Sequence, residues 1–100
     1  MVNVESDAPA ESALSVSPNP FNVSTTIEFV LTEHGHAALE LFNSSGQKVR
    51  TLVNAELPAG KHTAVWDGRD DDGLTISSGL YFSRLVTERY SGTAKMLLMK

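Results

Sequence analysis

The sequence lacks several features that would assign it to a common class of protein. Its 100 residues include no cysteine, which excludes a disulfide framework, a thiol nucleophile and any cysteine metal site. No stretch approaches the roughly 18–20 apolar residues of a membrane-spanning helix, and residues 1–12 show no signal peptide. Hydrophobic residues still make up 41% of the chain, which is enough for the core of one domain.

Positive charge is absent from the first half of the chain, since every Lys and Arg lies at or after Lys48. Residues 1–47 hold six of the twelve acids, and the formal net charge is −4. Nucleic-acid binding needs clustered positive charge, and eight bases diluted by twelve acids supply little of it. The composition therefore argues against a nucleic-acid partner.

Apolar residues recur with a period of two, and turn residues follow at intervals typical of β-sandwiches and barrels. Residues 1–13 lack this pattern and are interpreted as a flexible linker remnant. Over residues 14–100 the pattern predicts about seven strands and no helix, and hence an all-β, Ig-like antiparallel β-sandwich. Val49 and Leu52 are out of phase with their strand, which predicts a bulge or a strand end there.

This alternation predicts seven strands. In chain order they are a short strand at Leu14 and Val16, then Thr25–Leu31, Ala37–Asn43 and Gln47–Val53, then a strand with His62, Ala64 and Trp66 on one face, and finally Leu80–Glu88 and Thr93–Lys100.

The densest acidic segment combines Asp67, Asp70 and Asp72 with Gly68 and Gly73. Aspartate and glycine favour turns, so the first interpretation is a solvated turn. The alternative is a calcium site, because Ca²⁺ takes about six to eight oxygen ligands and such a loop offers several. The spacing is not that of an EF-hand, since a tyrosine stands where the final glutamate ligand belongs.

The three histidines give little support to a metal site or to catalysis. His34 and His36 stand in a glycine-containing turn with no third ligand nearby in sequence, so they are interpreted as solvated. His62 shares a strand face with Trp66 and is expected to pack, with its ring nitrogens bonded to backbone groups. No nucleophile, histidine and acid are placed together by the sequence, and we predict that the protein is not an enzyme.

Three aromatic residues stand at positions with a predicted role. Trp66, the only tryptophan, is either a large core residue or an exposed platform for sugar. Tyr81 follows Gly79 near the start of its strand, as in a tyrosine corner, where the hydroxyl bonds back to the backbone. Phe21 is expected to plug the edge of the sandwich.

Four segments, in this order, resemble those of a known family. Ser17–Asn22, with Ser24–Ile27, resembles the "PNPF…TTI" opening of the C-terminal sorting domains of the type IX secretion system. Trp66-Asp67-Gly68, with Ala59–His62 before it, resembles the signature that these domains share with the Ig-like domain of flagellar hook-capping proteins. Ser78–Leu85 is similar to the next family strand, and Lys95–Lys100 resembles the final strand of the type A sorting signal.

The resemblance covers residues 14–100 and implies a secreted protein whose last domain is this sandwich, so that the chain would be a fragment. It implies recognition by outer-membrane secretion machinery, removal by a sortase-like protease and delivery to the cell surface, with no cofactor. An isolated domain of this kind is expected to be a monomer. The resemblance assigns recognition to Lys95, Leu98 and Lys100, a shaping role to Gly79 and Tyr81, and a structural role to Pro18, Asn19, Pro20, Phe21, Trp66, Asp67 and Gly68.

Two other functions stay open. An Ig-like spacer or carbohydrate-associated module of a secreted hydrolase predicts an exposed Trp66. A hook-capping-type assembly domain predicts self-association. The fold alone does not separate these alternatives, because Ig-like sandwiches carry many functions.

The last predicted strand is apolar on both of its faces, with Met96 and Leu98 on one and Leu97 and Met99 on the other. A strand that packs on one face and meets water on the other should alternate with polar residues. Either both faces are covered within the sandwich, with methionines filling gaps, or the second face is exposed and invites a partner.

Overall fold

The chain forms two packed antiparallel sheets, and a computed structural model describes residues 14–100 of it. The predicted linker, residues 1–13, lies outside the described residues. Seven strands and no helix within residues 14–100 confirm the predicted all-β, Ig-like sandwich. The strands are β1 (Leu14–Ser17), β2 (Thr25–Leu31), β3 (Gly35–Asn43), β4 (Lys48–Leu57), β5 (Gly60–Trp66), β6 (Gly79–Thr87) and β7 (Ser91–Leu98).

The sheets have three and four strands, in the orders β1-β2-β5 and β4-β3-β6-β7. The edge strands of the larger sheet are β4 and β7. Each has a partner strand on one side only, so the backbone groups on its outer side need other hydrogen-bond partners. Among residues 14–100 no helix is present that is long and apolar enough to cross a membrane.

The core lies between the sheets because the strands alternate buried and less buried residues. In β2, for example, Ile27, Phe29 and Leu31 are buried while the residues between them are only partly so. Full burial of such a side chain stabilises the fold by about 1.5–3 kcal/mol. The other buried apolar residues are Phe21, Ala37, Leu39, Leu41, Trp66, Tyr81, Leu85, Met96 and Leu98.

The pairing of β3 with β4 is irregular at the two positions that the sequence marks as out of phase. Leu39 lies opposite Val53 and Glu40 opposite Thr51, so that Leu52 has no partner. A second register shift between Leu41 and Phe42 leaves out Val49 in the same way. The predicted bulge is confirmed, and the shifts let Val49 and Leu52 pack against the core despite their spacing.

Candidate functional site: the C-terminal strand and the segments that hold it

β7 is an edge strand, and its two faces differ as the alternation of a half-buried strand requires. Met96 and Leu98 are 0% and 1% exposed, whereas Leu97 and Met99 are 37% and 54% exposed. The second apolar face is therefore open, and the interpretation in which both faces are covered is wrong for these two residues. The strand ends at Leu98 rather than at the predicted Lys100.

The structure divides the predicted recognition residues between surface and core. Lys95 and Lys100 are exposed, so their side chains are available to a partner. The predicted recognition role of the Leu98 side chain is wrong, because this side chain is buried in the core and cannot contact a partner. Gly79 pairs with Leu98 at the start of β6, and the neighbouring Tyr81 is buried, so both support β7 from inside the sheet.

The proline-containing segment covers the outer edge of β7. The Asn19 side-chain amide donates to the Lys95 carbonyl oxygen (2.8 Å), and its Oδ1 accepts the Leu97 N–H (3.0 Å). The Phe21 N–H donates to the Leu97 carbonyl oxygen (2.9 Å), and the Phe21 carbonyl oxygen accepts the Met99 N–H (2.8 Å). Four backbone groups at the end of the edge strand are therefore satisfied by two residues.

A hydrogen bond from β2 holds the proline-containing segment in place. The buried Thr25 hydroxyl donates to the Pro18 carbonyl oxygen (2.7 Å), and the Ser17–Pro18 and Asn19–Pro20 peptide bonds are both cis. Phe21 is 3% exposed, which confirms that it plugs the edge of the sandwich.

Three aromatic rings join the proline-containing segment to the centre of the core. Trp66 lies between Phe21 and Tyr81, with both pairs of ring centroids 5.4 Å apart in tilted and edge-on geometry. Trp66 is 0% exposed, so it is a core residue and not a platform for sugar. The Tyr81 hydroxyl donates to the Ser77 carbonyl oxygen (2.7 Å), which is the bond expected of a tyrosine corner.

The turn after Trp66 packs against the same end of the sandwich. Gly68 is buried with a φ of 76°, a conformation that glycine adopts without strain. A Cβ at this position would lie 3.8 Å from the Val23 carbonyl oxygen and 3.9 Å from the Leu98 side chain. The four segments that resemble the sorting family thus meet in space around Phe21 and Leu98.

The acidic loop makes local and cross-strand hydrogen bonds. Asp67 Oδ1 accepts from Arg50 Nη1 (2.7 Å) and from the Arg69 N–H (3.2 Å). Asp70 Oδ1 accepts the N–H groups of Asp72 (2.9 Å) and Leu74 (3.0 Å), as in an Asx turn. These bonds support the turn interpretation of Asp67 and Asp70.

The calcium alternative has no support in geometry. Among residues 14–100 no group of three or more His, Asp or Glu side chains is arranged to hold a metal ion. Calcium at Asp67, Asp70 and Asp72 stays a prediction from composition.

The histidines have the environments that the sequence predicts, although His36 lies in β3 rather than in the turn before it. His62 Nε2 is 2.8 Å from the Pro58 carbonyl oxygen, and its ring stacks on Phe29 at 5.5 Å, which confirms a packed histidine with a backbone partner. His34 and His36 are exposed and lie 3.6 Å and 4.0 Å from the two carboxylate oxygens of Glu56.

Sequence reasoning missed the outward face of β6, which continues the open face of β7. Leu80 is 38% exposed and pairs with Leu97, and Phe82 pairs with Lys95. Arg84 is exposed one row further along. The sequence contains a signal for this face, because β6, like β7, carries apolar residues on both of its faces.

The two packed sheets place the chain in the class of Ig-like β-sandwich domains. Within that class it belongs to the FlgD Ig-like domain family, whose model matches residues 20–90. This membership confirms the resemblance to hook-capping proteins, and the family is one of structural and assembly domains rather than enzymes.

The curated relatives include the basal-body rod modification protein FlgD of Salmonella typhimurium, which is 35% identical over 84 residues. The match covers 84% of this chain and 34% of FlgD, so the chain spans about a third of the relative.

Two solved structures from Porphyromonas gingivalis share the fold. Dimeric latent PorU has a TM-score of 0.71 and 18% identity over 88% of this chain and 9% of its own. PorZ, an essential bacterial surface component of the type IX secretion system, has a TM-score of 0.59 and 21% identity over 88% and 12% of the two chains. At these identities the likeness shows the fold alone.

Proposed function

We propose that this domain is a non-catalytic sorting signal that directs an attached protein through the outer membrane to the cell surface. One observation carries the proposal. Between Lys95 and Lys100 the chain exposes Leu97 on β7 and Met99 directly after it, and the proline-containing segment fixes the backbone at that end. An exposed apolar strand in fixed register is a surface that another protein can recognise.

The proposal draws its context from the four resembling segments. The likeness to PorU and PorZ carries the fold only and adds nothing about recognition. The partners would be the outer-membrane secretion machinery and a sortase-like protease, and the destination would be the cell surface or the medium.

A secretion assay tests the proposal. Residues 14–100 are fused behind a signal peptide and a fluorescent reporter, in a bacterium that carries type IX machinery. Deletion of Lys95–Lys100 would remove two core residues, Met96 and Leu98, and unfold the domain. The informative variant is therefore Leu97→Ser with Met99→Ser, which changes exposed side chains and leaves the core intact.

The matched control is Val65→Ser, since Val65 is 60% exposed on the opposite sheet. We expect the fusion and the Val65 variant to reach the surface, while the Leu97 and Met99 variant stays in the periplasm in a folded form. Export of all three would refute recognition through β7. Periplasmic retention of the unaltered fusion would refute the sorting function in that host.

An assembly role is the second candidate, because the identity of 35% to FlgD exceeds the identity to either P. gingivalis structure. It predicts self-association of the domain. Sedimentation velocity over a range of concentrations separates the two, since a sorting domain should stay monomeric. The third alternative, a carbohydrate-associated module, predicted an exposed Trp66 and is not supported by its burial.

A further inference from the structure

Within residues 14–100, the basic side chains that lack an acidic partner lie on the two C-terminal strands or after them. Five of the Lys and Arg residues lie within 4.0 Å of a carboxylate: Lys48, Arg50, Lys61, Arg69 and Arg89. Within residues 14–100, the remaining three have no such neighbour: Arg84, Lys95 and Lys100. Arg84 stands on β6, Lys95 on β7, and Lys100 two residues after the end of β7.

Strand register places Arg84 and Lys95 among apolar residues, of which Leu80 and Leu97 are exposed and Phe82 and Phe42 are half-buried. Phe82 lies opposite Lys95 on one side and opposite Phe42 on the other, and Leu80 lies opposite Leu97. We call this surface the β6–β7 outer face and define it by Leu80, Phe82, Arg84, Lys95 and Leu97. A shallow depression beside it is lined by Phe42, Phe82, Arg84 and Thr93.

The acidic residue beside this face, Glu40, already forms an ion pair. Glu40 lies opposite Arg84 on β3, but its carboxylate is 3.4 Å from the Lys48 ammonium. Among the described residues, the face therefore combines an apolar centre with two cations, Arg84 and Lys95, that form no ion pair. This is the charge complement of an acidic surface.

We propose that the β6–β7 outer face binds a protein segment that carries apolar side chains flanked by Asp or Glu. The proposal rests on the sorting function and names the chemistry of its partner. The apolar side chains would pack on Phe82, Leu80 and Leu97, while the carboxylates would pair with Arg84 and Lys95. Arginine pairs with a carboxylate through two parallel hydrogen bonds, which fixes the orientation of the partner.

A protein surface fits better than an anionic membrane. Residues 14–100 carry nine acidic and eight basic residues, so the domain as a whole has a formal net charge of −1 and no overall attraction to an anionic plane. A protein segment meets only the charges within about 8 Å at physiological salt, and there the face is basic.

The opposite sheet provides a matched control. Lys61 on β5 is exposed like Lys95, but it pairs with Glu28 across the strands at 3.5 Å. Charge reversal of Lys61 removes one cation and adds one anion, as reversal of Lys95 does. It therefore leaves the change in net charge the same and alters a different face.

The first test uses the secretion assay with Arg84→Glu, Lys95→Glu and the control Lys61→Glu, each checked for folding by circular dichroism. We expect about tenfold less surface delivery for the first two and no loss for Lys61→Glu, with tenfold corresponding to roughly 1.4 kcal/mol of binding. Export of all three at the level of the unaltered fusion would overturn the inference while leaving the sorting function intact. Retention of the unaltered fusion would instead refute the sorting function.

The second test is a direct titration, followed by amide chemical shifts of the isotope-labelled domain. The probes are a short synthetic peptide of alternating Glu and Leu, the same peptide with Gln for Glu, and vesicles of phosphatidylcholine with phosphatidylserine. Shifts at Phe82, Arg84, Lys95 and Leu97 with the Glu peptide alone, weakened by salt, would support the proposal. Equal shifts with the Gln peptide, or shifts only with vesicles, would overturn it.

Discussion

The two edges of the four-stranded sheet are covered by different kinds of contact. At β7 the cover is Asn19 and Phe21, and Phe21 continues into the aromatic centre of the core. At β4 the cover is Asp71, whose N–H donates to the Val49 carbonyl oxygen (3.0 Å) and whose Oδ1 accepts the Thr51 N–H (3.1 Å). Asp71 is exposed to solvent.

We call these contacts the edge covers: Asn19 and Phe21 form the β7 cover, and Asp71 forms the β4 cover. Both hide backbone groups on which another strand could pair. The cover on β7 includes the buried Phe21 side chain, whereas Asp71 on β4 is exposed, and β7 is the strand whose outward face we propose for recognition. The β7 cover should therefore contribute much more to stability than the β4 cover.

The largest expected effect is that of Phe21→Ala, which removes the buried part of the β7 cover. Its free energy of unfolding should fall by about 3–5 kcal/mol, as for other buried Phe to Ala changes. Urea denaturation followed by the fluorescence of Trp66 measures it. Val23→Ala is the control, because Val23 is 73% exposed and its loss should cost under about 0.5 kcal/mol. A loss below about 1 kcal/mol for Phe21→Ala would remove the distinction between the two edges.

Asn19→Ala tests the polar half of the same cover. It deletes one acceptor and one donor for backbone groups of β7, and we expect a loss of about 1–2 kcal/mol. The Leu97 amide should also exchange its hydrogen faster, since it loses its acceptor. Asn22→Ala is the control, because the Asn22 side chain makes no hydrogen bond within residues 14–100. Unchanged exchange at Leu97 would contradict the assigned contact.

The strand pattern was within reach of sequence reasoning because it rests on local alternation. Thr25–Leu31 was predicted with its bounds, and the two bulged residues, Val49 and Leu52, were found from their phase alone. Alternation also grouped Leu97 with Met99, which are the two exposed residues of that strand's end.

The edge covers were not within reach, because their partners are far apart in sequence. Asn19 and Lys95 are separated by 76 residues, and no pattern in either segment indicates that one bonds to the other. Leu98 was assigned to recognition from the resemblance of its segment, although it alternates in phase with the buried Met96. Its burial follows from the phase, which was the better guide.

Asp71→Ala tests the β4 cover and should have a smaller effect. The Thr51 N–H loses its side-chain acceptor but can turn to water, and the backbone bond from Asp71 to Val49 remains. We expect a loss of about 0.5–1 kcal/mol by urea denaturation. Asp71→Asn keeps the Oδ1 acceptor and should stay near the unaltered protein. A loss as large as that of Phe21→Ala would show that the two covers are equivalent.

The smallest expected effect is the coupling between the two covers. The edges are three strand spacings apart, or about 14 Å, so Asn19→Ala and Asp71→Ala should add to within about 0.5 kcal/mol. Asn19→Ala and Phe21→Ala act on one stretch of β7 and should depart from additivity by more than that amount. A double-mutant cycle for each pair, from unfolding free energies in urea, measures both couplings. Strong coupling across the sheet would mean that β4 and β7 respond as one unit, and the recognition strand would then be sensitive to changes at the acidic loop.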